Sequence, residues 1–112
     1  MVSETTPTTS PATAAPELTA AQRKKLRGLA HALEPVIRLG RQGFTESARS
    51  ELERAIAHHE LVKVKIAAER EERRRIVAAI GEQVPCALVG TVGGVAILYR
   101  PHQRPERRRI RI

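Results

Sequence analysis

Apolar residues alternate with lysines over residues 61–66 (LVKVKI), and this short pattern constrains the fold more than any other part of the chain. Successive side chains of a β-strand point to opposite faces, so the alternation predicts a strand whose apolar side chains face a core. Lys63 and Lys65 would then lie together on the other face. Since a strand buried on both faces does not carry alternate lysines, we expect part of one face of the sheet to be wet and basic.

The first helix is predicted from Thr19 to about Leu33. Thr19 and Gln22 have the spacing of a capping box, in which each side chain bonds the backbone amide of the other residue. Leu26, Leu29 and Leu33 recur at helical spacing and would form the apolar stripe that faces the core. A proline two residues beyond Leu33 ends the helix, because the residue before a proline is pushed out of the α region.

Two further helices are predicted. Thr45 has the position of an N-cap for the second helix, which ends near His58 and His59. The third helix spans about residues 70–83, and its charged residues include two pairs at i,i+4 spacing. The pairs are Glu69 with Arg73 and Glu71 with Arg75. We therefore interpret residues 73–75 mainly as a solvated, internally paired helix face.

Three more β runs complete the predicted fold. The run at residues 36–39 precedes the second helix. The runs at 86–92 and 95–99 flank Gly93-Gly94, which suit a two-residue hairpin turn that needs positive φ. The element order is α-β-α-β-α-β-β, and helices between strands favour crossover connections. We therefore predict an α/β domain with a mixed four-stranded sheet closed by an antiparallel hairpin.

The ends of the chain differ in composition from its middle. Residues 1–17 are rich in Ser, Thr, Pro and Ala and contain almost no large apolar side chain, so they are predicted to be a disordered tail. Residues 102–112 are rich in arginine, and a run of like charges repels itself, so this segment is predicted to be a flexible tail. The ordered domain is expected to span residues 18–101.

Charge narrows the class of partner. The chain carries 20 Lys and Arg against 12 Asp and Glu, a formal net charge of +8, which favours a polyanion such as nucleic acid or an anionic membrane surface. No apolar run reaches the roughly 20 residues of a membrane-spanning helix, and the single Cys86 cannot form an internal disulfide. We expect a cytoplasmic monomer with no membrane partner.

No set of residues predicts catalysis or metal binding. The titratable candidates are four histidines, Cys86 and 12 carboxylates, and no nucleophile and base among them share a motif. His58 and His59 are the best metal suggestion, but neighbouring helix positions point in different directions and no further ligand has a supporting spacing. Cys86 lies in an apolar stretch, where a buried and unreactive thiol is expected. We therefore expect a protein that is not an enzyme and uses no cofactor or metal.

Binding residues are predicted from one loop and from the distribution of charge. The segment Gly40-Arg41-Gln42-Gly43 follows a strand and opens a helix, where backbone amides and the helix dipole can hold a phosphate. A plain turn would explain its two glycines about as well. The cationic candidates are Lys24, Lys25, Arg27, Arg38, Lys63, Lys65, Arg107, Arg108 and Arg109. Only Phe44 and Tyr99 are aromatic, so phosphate and shape contacts, as on structured RNA, would outweigh base stacking.

Four groups of residues give the chain a family resemblance between Leu18 and Pro101. They are Leu29-Ala-His-Ala-Leu33 with Pro35-Val36, Leu39-Gly40 with Gly43 and Thr45-Glu46, the block from His58 to Ile66, and Leu98-Tyr-Arg-Pro101. Together these motifs resemble the YhbY-like family, whose domain is also called the chloroplast RNA splicing and ribosome maturation domain. The chain differs from that pattern in its polar N-terminal extension and a slightly longer Gly-Gly hairpin.

The resemblance implies RNA binding and a fold similar to the C-terminal domain of translation initiation factor three. Single-domain bacterial members of the family are associated with precursors of the large ribosomal subunit, which implies structured ribosomal RNA as the partner. The family also implies a role for residues 40–43 like that of the GxxG loop of KH domains, although here the loop joins a strand to a helix. The residues leave one alternative open: a protein-interaction module that docks its first helix and basic tail on an acidic ribosomal or regulatory protein.

Overall fold

Residues 16–112 are described by the computed structural model, and the predicted disordered tail at 1–17 lies almost entirely outside them. The elements are α1 (Ala20–Ala30), β1 (Ile37–Leu39), α2 (Glu46–His59), β2 (Leu61–Ile66), α3 (Arg70–Gln83), β3 (Ala87–Val92) and β4 (Val95–Tyr99), with one 3-10 turn at Pro105–Arg107. The predicted order is confirmed. Thr19 and Gln22 form the expected capping box, and Thr45 caps α2 by accepting from the Ala48 amide.

The four strands form one mixed sheet in the order β1-β2-β4-β3, as predicted. β1 and β2 are parallel, and β4 is antiparallel to both of its neighbours. Gly93, at φ 61, begins the two-residue turn from β3 to β4, and glycine adopts this conformation without steric cost. β1 and β2 end on the same side of the sheet, and β4 begins there. Three connections therefore meet where these strands end or begin. This edge, formed by residues 40–43, 67–69 and 93–94, is the loop edge.

Helices cover the two faces of the sheet unequally. On one face, α2 and α3 pack on the apolar side of β2, and Leu52, Ile56 and Ile80 are fully buried. On the other face, Leu26 and Ala30 of α1 pack on a smaller core. Full burial of an aliphatic side chain contributes about 1.5–3 kcal/mol, so both cores hold their helices firmly. α1 contacts β2 and β3. It leaves uncovered the part of this sheet face that lies next to the loop edge, where Arg38 and Lys65 are exposed.

α1 is shorter than predicted, and its apolar stripe was assigned partly to the wrong residues. The helix ends at Ala30, and Leu29 and Leu33 are 44% and 39% exposed. The buried stripe is formed by Leu26 and Ala30, which share one side of the helix because they are four residues apart. The prediction failed because it favoured leucines over a small residue, and the small Ala30 lets the helix approach the sheet closely.

The predicted i,i+4 ion pairs of α3 are wrong. Arg75 pairs instead with Glu72 at 3.0 Å, and the Arg73 guanidinium donates to the Ala68 carbonyl at 2.6 Å. An exposed ion pair contributes only about 0–1 kcal/mol. A carbonyl in the loop before the helix can therefore displace a carboxylate as the partner of Arg73.

A buried carboxylate organises the C-terminal segment, which the sequence predicts to be a flexible tail. Glu60, the one residue between α2 and β2, is 1% exposed and has φ 69. Its carboxylate accepts from the amides of His102, Arg109 and Ile110 at 2.9, 3.0 and 3.1 Å, and Ile110 packs against the core beneath α1. Hydrogen bonds to a charged group contribute about 1.5–3 kcal/mol each, so residues 102–110 lie against the domain. The side of the sheet where β2 begins is the Glu60 edge.

Candidate nucleic-acid interface

The loop at residues 40–43 makes a tight turn into α2. The Gly43 amide donates to the Gly40 carbonyl at 3.0 Å, and Gly43 has φ 70. That left-handed conformation is the structural reason for a glycine at position 43. Gly40 differs, because a Cβ atom there would meet no other atom within 4 Å. The fold does not need glycine at position 40, and its missing side chain leaves room for an external group.

The same loop carries hydrogen-bond donors that the domain does not use. Within residues 16–112, the amides of Arg41 and Gln42 have no backbone acceptor. An open cavity of about 350 Å³ beside them is lined partly by their residues and by Glu51. Glu46 also lies in this turn of α2, but its carboxylate is hydrogen-bonded to Arg49, which lowers the pKa of Glu46. Glu51 is therefore the remaining acidic group at a site that otherwise favours an anion.

Arg38 and Lys65 form a basic row on the uncovered part of the sheet. They are register partners on the parallel strands β1 and β2, so their Cα atoms are about 4.8 Å apart. Both side chains are exposed. Among residues 16–112, no carboxylate lies within 4.0 Å of either one. Like charges on neighbouring strands repel each other, so an anion bound between Arg38 and Lys65 would reduce their electrostatic repulsion.

α1 adds one stripe of basic side chains beside this row. Arg27 and His31 line a small cleft of about 140 Å³ together with Val95, which is the register partner of Lys65. Lys24 is three residues before Arg27 and shares its stripe. Lys25 lies on the next stripe, with Leu29, and faces away from the cleft. The structure therefore groups Lys24 and Arg27 with the basic row and separates Lys25 from it.

Lys63 has a structural contact that sequence reasoning missed. Its ammonium group donates to the carbonyls of Ala30 and Leu33 at 3.1 and 2.9 Å. Ala30 is the last residue of α1, where the helix dipole favours a cation, and Leu33 lies in the segment that follows the helix. Lys63 thus holds the end of α1 to the sheet, and it is less available to a ligand than Lys65. No sequence signal separates the two lysines, because both alternate with apolar residues.

The C-terminal arginines lie at the opposite edge of the sheet. Arg107, Arg108 and Arg109 are exposed and follow the segment that Glu60 holds at the start of β2. The loop edge lies at the other end of this six-residue strand, about 17 Å away. The structure therefore does not bring these arginines to the same surface as the loop at 40–43.

A second basic surface was missed because residues 73–75 were treated as one group. Arg70, Arg73 and Arg74 line a groove of about 510 Å³ between α3 and β3. Glu72 and Arg75 pair with each other outside the groove. A helical wheel separates these two sets, since residues three and four apart share a side of the helix. That projection was the available signal.

The groups considered for chemistry occupy structural positions. Cys86 is buried, and burial raises the pKa of its thiol to about 11, which disfavours the reactive thiolate. The rings of His58 and His59 meet edge to face, with centroids 4.7 Å apart. Within residues 16–112, no three His, Cys, Asp or Glu side chains gather as metal ligands would. The helices in this range are too short or too polar to span a bilayer.

These features define a class of protein: a small α/β domain that presents a glycine-bearing loop and a row of free cations at one edge of its sheet. The chain belongs to the family of the CRS1 / YhbY (CRM) domain, whose model matches residues 18–100. The resemblance inferred from the sequence motifs is therefore confirmed.

Individual relatives agree with this assignment. An RNA-binding protein of Haemophilus influenzae is 46% identical over 90 residues, which cover 80% of this chain and 91% of the relative. A protein of Pseudomonas aeruginosa named "Probable RNA-binding protein" is 40% identical over 91 residues, which cover 80% of this chain and 88% of the relative. The solution structure of a Staphylococcus aureus protein matches with a TM-score of 0.71 at 23% identity, over 85% of this chain and 100% of that one. The last comparison is a likeness of fold.

Proposed function

We propose that this protein binds structured RNA through its loop edge. The RNA in this proposal is ribosomal RNA of the large-subunit precursor, and the protein acts as a monomeric assembly factor in the cytoplasm. The observation that carries the proposal is the side-by-side placement of Arg38 and Lys65, exposed and without a carboxylate partner among residues 16–112. Two relatives are named as RNA-binding proteins, which supports RNA as the ligand, and the family motifs support the ribosomal precursor.

The contacts would be made mainly to phosphates. A phosphate between Arg38 and Lys65 would receive charge-assisted hydrogen bonds and remove the repulsion between the two cations. A second phosphate would fit over Gly40, where no side chain blocks the amides of Arg41 and Gln42. Phe44 packs against the core and Tyr99 is 3% exposed. Recognition would thus depend on the shape of the RNA backbone and little on stacked bases.

The proposed activity is binding without chemistry. The thiol of Cys86, with its pKa of about 11, is a poor nucleophile at neutral pH. Turnover of an RNA substrate by the purified chain would contradict this part of the proposal.

A filter-binding experiment with paired variants tests the RNA surface. The double variant Arg38→Ala/Lys65→Ala should bind large-subunit precursor RNA at least about a hundredfold more weakly, because two charge-assisted hydrogen bonds of about 1.5–3 kcal/mol each are lost and every ~1.4 kcal/mol is a factor of ten. The control, Arg54→Ala/Arg75→Ala, removes the same charge from α2 and α3 and should change affinity by less than about twofold, as expected for diffuse charge alone. If both double variants weaken RNA binding equally, the effect comes from net charge alone, and the proposal of a defined binding surface at the loop edge is contradicted.

A sedimentation experiment tests the biological partner. The protein should co-sediment with large-subunit precursors in cell extracts, and complete digestion of RNA should release it. Co-sedimentation that survives nuclease treatment would instead favour docking on an acidic protein and would overturn the proposal.

A further inference from the structure

We propose that the groove between α3 and β3 binds an unstacked nucleotide of the RNA held at the loop edge. This inference rests on the proposed function and adds a second, chemically different contact to it. The groove has a volume of about 510 Å³ and lies on the face of the sheet that α2 and α3 cover. Leu88 of the edge strand β3 lines the groove and is 40% exposed, so the groove is open to solvent there.

One wall of the groove is cationic. Arg70 and Arg74 lie one helical turn apart, about 5.4 Å along the axis of α3, and Arg73 lies between them. The guanidinium of Arg73 is partly engaged by the Ala68 carbonyl, whereas within residues 16–112 Arg70 and Arg74 have no carboxylate within 4.0 Å. The described residues that line the groove include no Asp or Glu. The wall therefore suits a ligand with closely spaced negative charges.

The floor of the groove is apolar. Leu88 of β3 is 40% exposed although it points to the face that carries the larger core. Val77 and Ala96 continue this apolar surface, and Thr91 adds one hydroxyl group. A large aliphatic side chain left open at the bottom of a cationic cleft favours a ligand that has a flat apolar part.

A nucleotide has both of these properties. Its base can lie on Leu88 while its phosphates meet the planar guanidinium groups of Arg70 and Arg74, which bind phosphate in a bidentate manner. Single-stranded bases of structured RNA are recognised in this splayed-out form. An acidic peptide would match the wall, but its carboxylates offer nothing flat to the floor.

The groove and the basic row lie on opposite faces of the sheet, and both reach the loop edge. The Ile66 amide donates to the Gly94 carbonyl at 2.7 Å, so the β3–β4 turn is tied to the end of β2. Lys65 of the basic row directly precedes Ile66, and Gly93 and Gly94 line the groove. An RNA strand that leaves the basic row and passes over this turn arrives at Leu88 and the arginines of α3.

Two RNA hairpins separate the groove from the basic row. One has a blunt stem, and the other has the same stem with a three-nucleotide single-stranded extension. Arg70→Ala/Arg74→Ala should weaken binding of the extended hairpin at least about a hundredfold, the size expected when two charge-assisted contacts are lost, and leave the blunt hairpin nearly unchanged. Leu88→Gln, at an exposed site, should act in the same direction. Arg54→Ala/Arg75→Ala serves as the control of equal charge, and thermal unfolding confirms that each variant is folded.

The outcomes distinguish the groove from the function on which it rests. If Arg38→Ala/Lys65→Ala weakens both hairpins while the groove variants affect them equally or not at all, the groove proposal is wrong and the function stands. If Arg38→Ala/Lys65→Ala affects neither hairpin, the proposed function itself fails. If a ten-residue polyglutamate peptide binds the chain, loses that binding in Arg70→Ala/Arg74→Ala, and the RNA extension adds nothing, the groove takes an acidic peptide and the proposal is overturned.

Discussion

The loop edge and the Glu60 edge both carry basic residues, but the basic row at the loop edge has no partner within residues 16–112, whereas some arginines of the Glu60 edge do. At the Glu60 edge, Arg100 pairs with Glu53 at 2.6 Å and Arg108 donates to the His102 carbonyl at 2.9 Å. At the loop edge, Arg38 and Lys65 have no such partner among residues 16–112. A positive net charge therefore says little about where a ligand binds. We infer the position of the ligand-binding surface from cationic donors that have no partner within the domain.

The largest effect is expected from removing the carboxylate that organises the Glu60 edge. Glu60→Ala should lower the free energy of unfolding by about 3 kcal/mol, because three partly buried amides lose their shared carboxylate acceptor. Urea unfolding measures the loss, and hydrogen exchange should show faster exchange of the Arg109 and Ile110 amides. Glu82→Ala, at an exposed site on α3, is the control. A loss for Glu60→Ala no larger than that of the control would mean that the C-terminal segment is not held by this residue.

The two glycines of the loop should separate stability from binding. Gly43→Ala should lower the free energy of unfolding by about 1–2 kcal/mol, the cost of a left-handed conformation for a residue with a side chain. Gly40→Ala should leave stability unchanged, since its Cβ meets nothing, yet weaken RNA binding by intruding on the ligand. Thermal unfolding and filter binding on both variants measure this contrast. Unchanged affinity for Gly40→Ala would remove the loop from the contact surface.

Two neighbouring lysines of β2 make a matched pair with opposite expectations. Lys63→Met should lower the free energy of unfolding by about 1 kcal/mol, because the carbonyls of Ala30 and Leu33 lose their donor. Lys65→Met should stay within about 0.5 kcal/mol of the parent protein, as exposed substitutions do, and should weaken RNA binding more than Lys63→Met. The reverse ranking of affinities would show that Lys63 leaves α1 to meet the RNA.

The smallest effect concerns alkaline pH at the Glu60 edge. Burial raises the pKa of Cys86 from 9.0 to about 11, and burial followed by the nearby Glu60 carboxylate raises that of Tyr99. The unfolded chain therefore releases these protons at lower pH than the folded protein, so stability should fall as pH rises above 9. Cys86→Ala should remove the thiol's share of this decline between pH 9 and pH 11, as measured by urea unfolding. An identical decline in the variant would exclude the thiol as a cause.

Most of the fold could be predicted because its signals are local. The capping box at Thr19, the N-cap at Thr45 and the alternation at residues 61–66 each depend on a few neighbouring residues, and each is present in the structure. The buried stripe of α1 was predicted less well. Whether Ala30 or Leu29 is buried depends on how the helix packs on the sheet. That packing is a property of the folded domain.

The C-terminal segment shows the limit of sequence reasoning more clearly. Its arginines predict a flexible tail, and nothing within residues 102–112 indicates the acceptor that holds it. The acceptor is Glu60, 42 residues or more away in the chain. A one-residue link between a helix and a strand, filled by glutamate and not by glycine, was the available sign of an unusual backbone at position 60.

The candidate site was predicted in composition but not in arrangement. Charge and the glycine loop predict phosphate contacts at this site, and Arg38, Arg41 and Lys65 do lie together near the loop edge. The engagement of Lys63 with α1 and the sorting of arginines on α3 depend on tertiary contacts. Sequence charge therefore supplies the candidates, and the fold selects among them.

The salt dependence of RNA binding tests the contrast between the two edges most directly. On a plot of log affinity against log salt concentration, Arg38→Ala/Lys65→Ala should make the negative slope about 1.5 shallower, because each lost phosphate contact reduces its magnitude by about 0.7–0.9. The matched variant Arg107→Ala/Arg109→Ala should leave the slope unchanged, since these residues lie at the Glu60 edge. A slope that becomes shallower in Arg107→Ala/Arg109→Ala and stays constant in Arg38→Ala/Lys65→Ala would contradict the account.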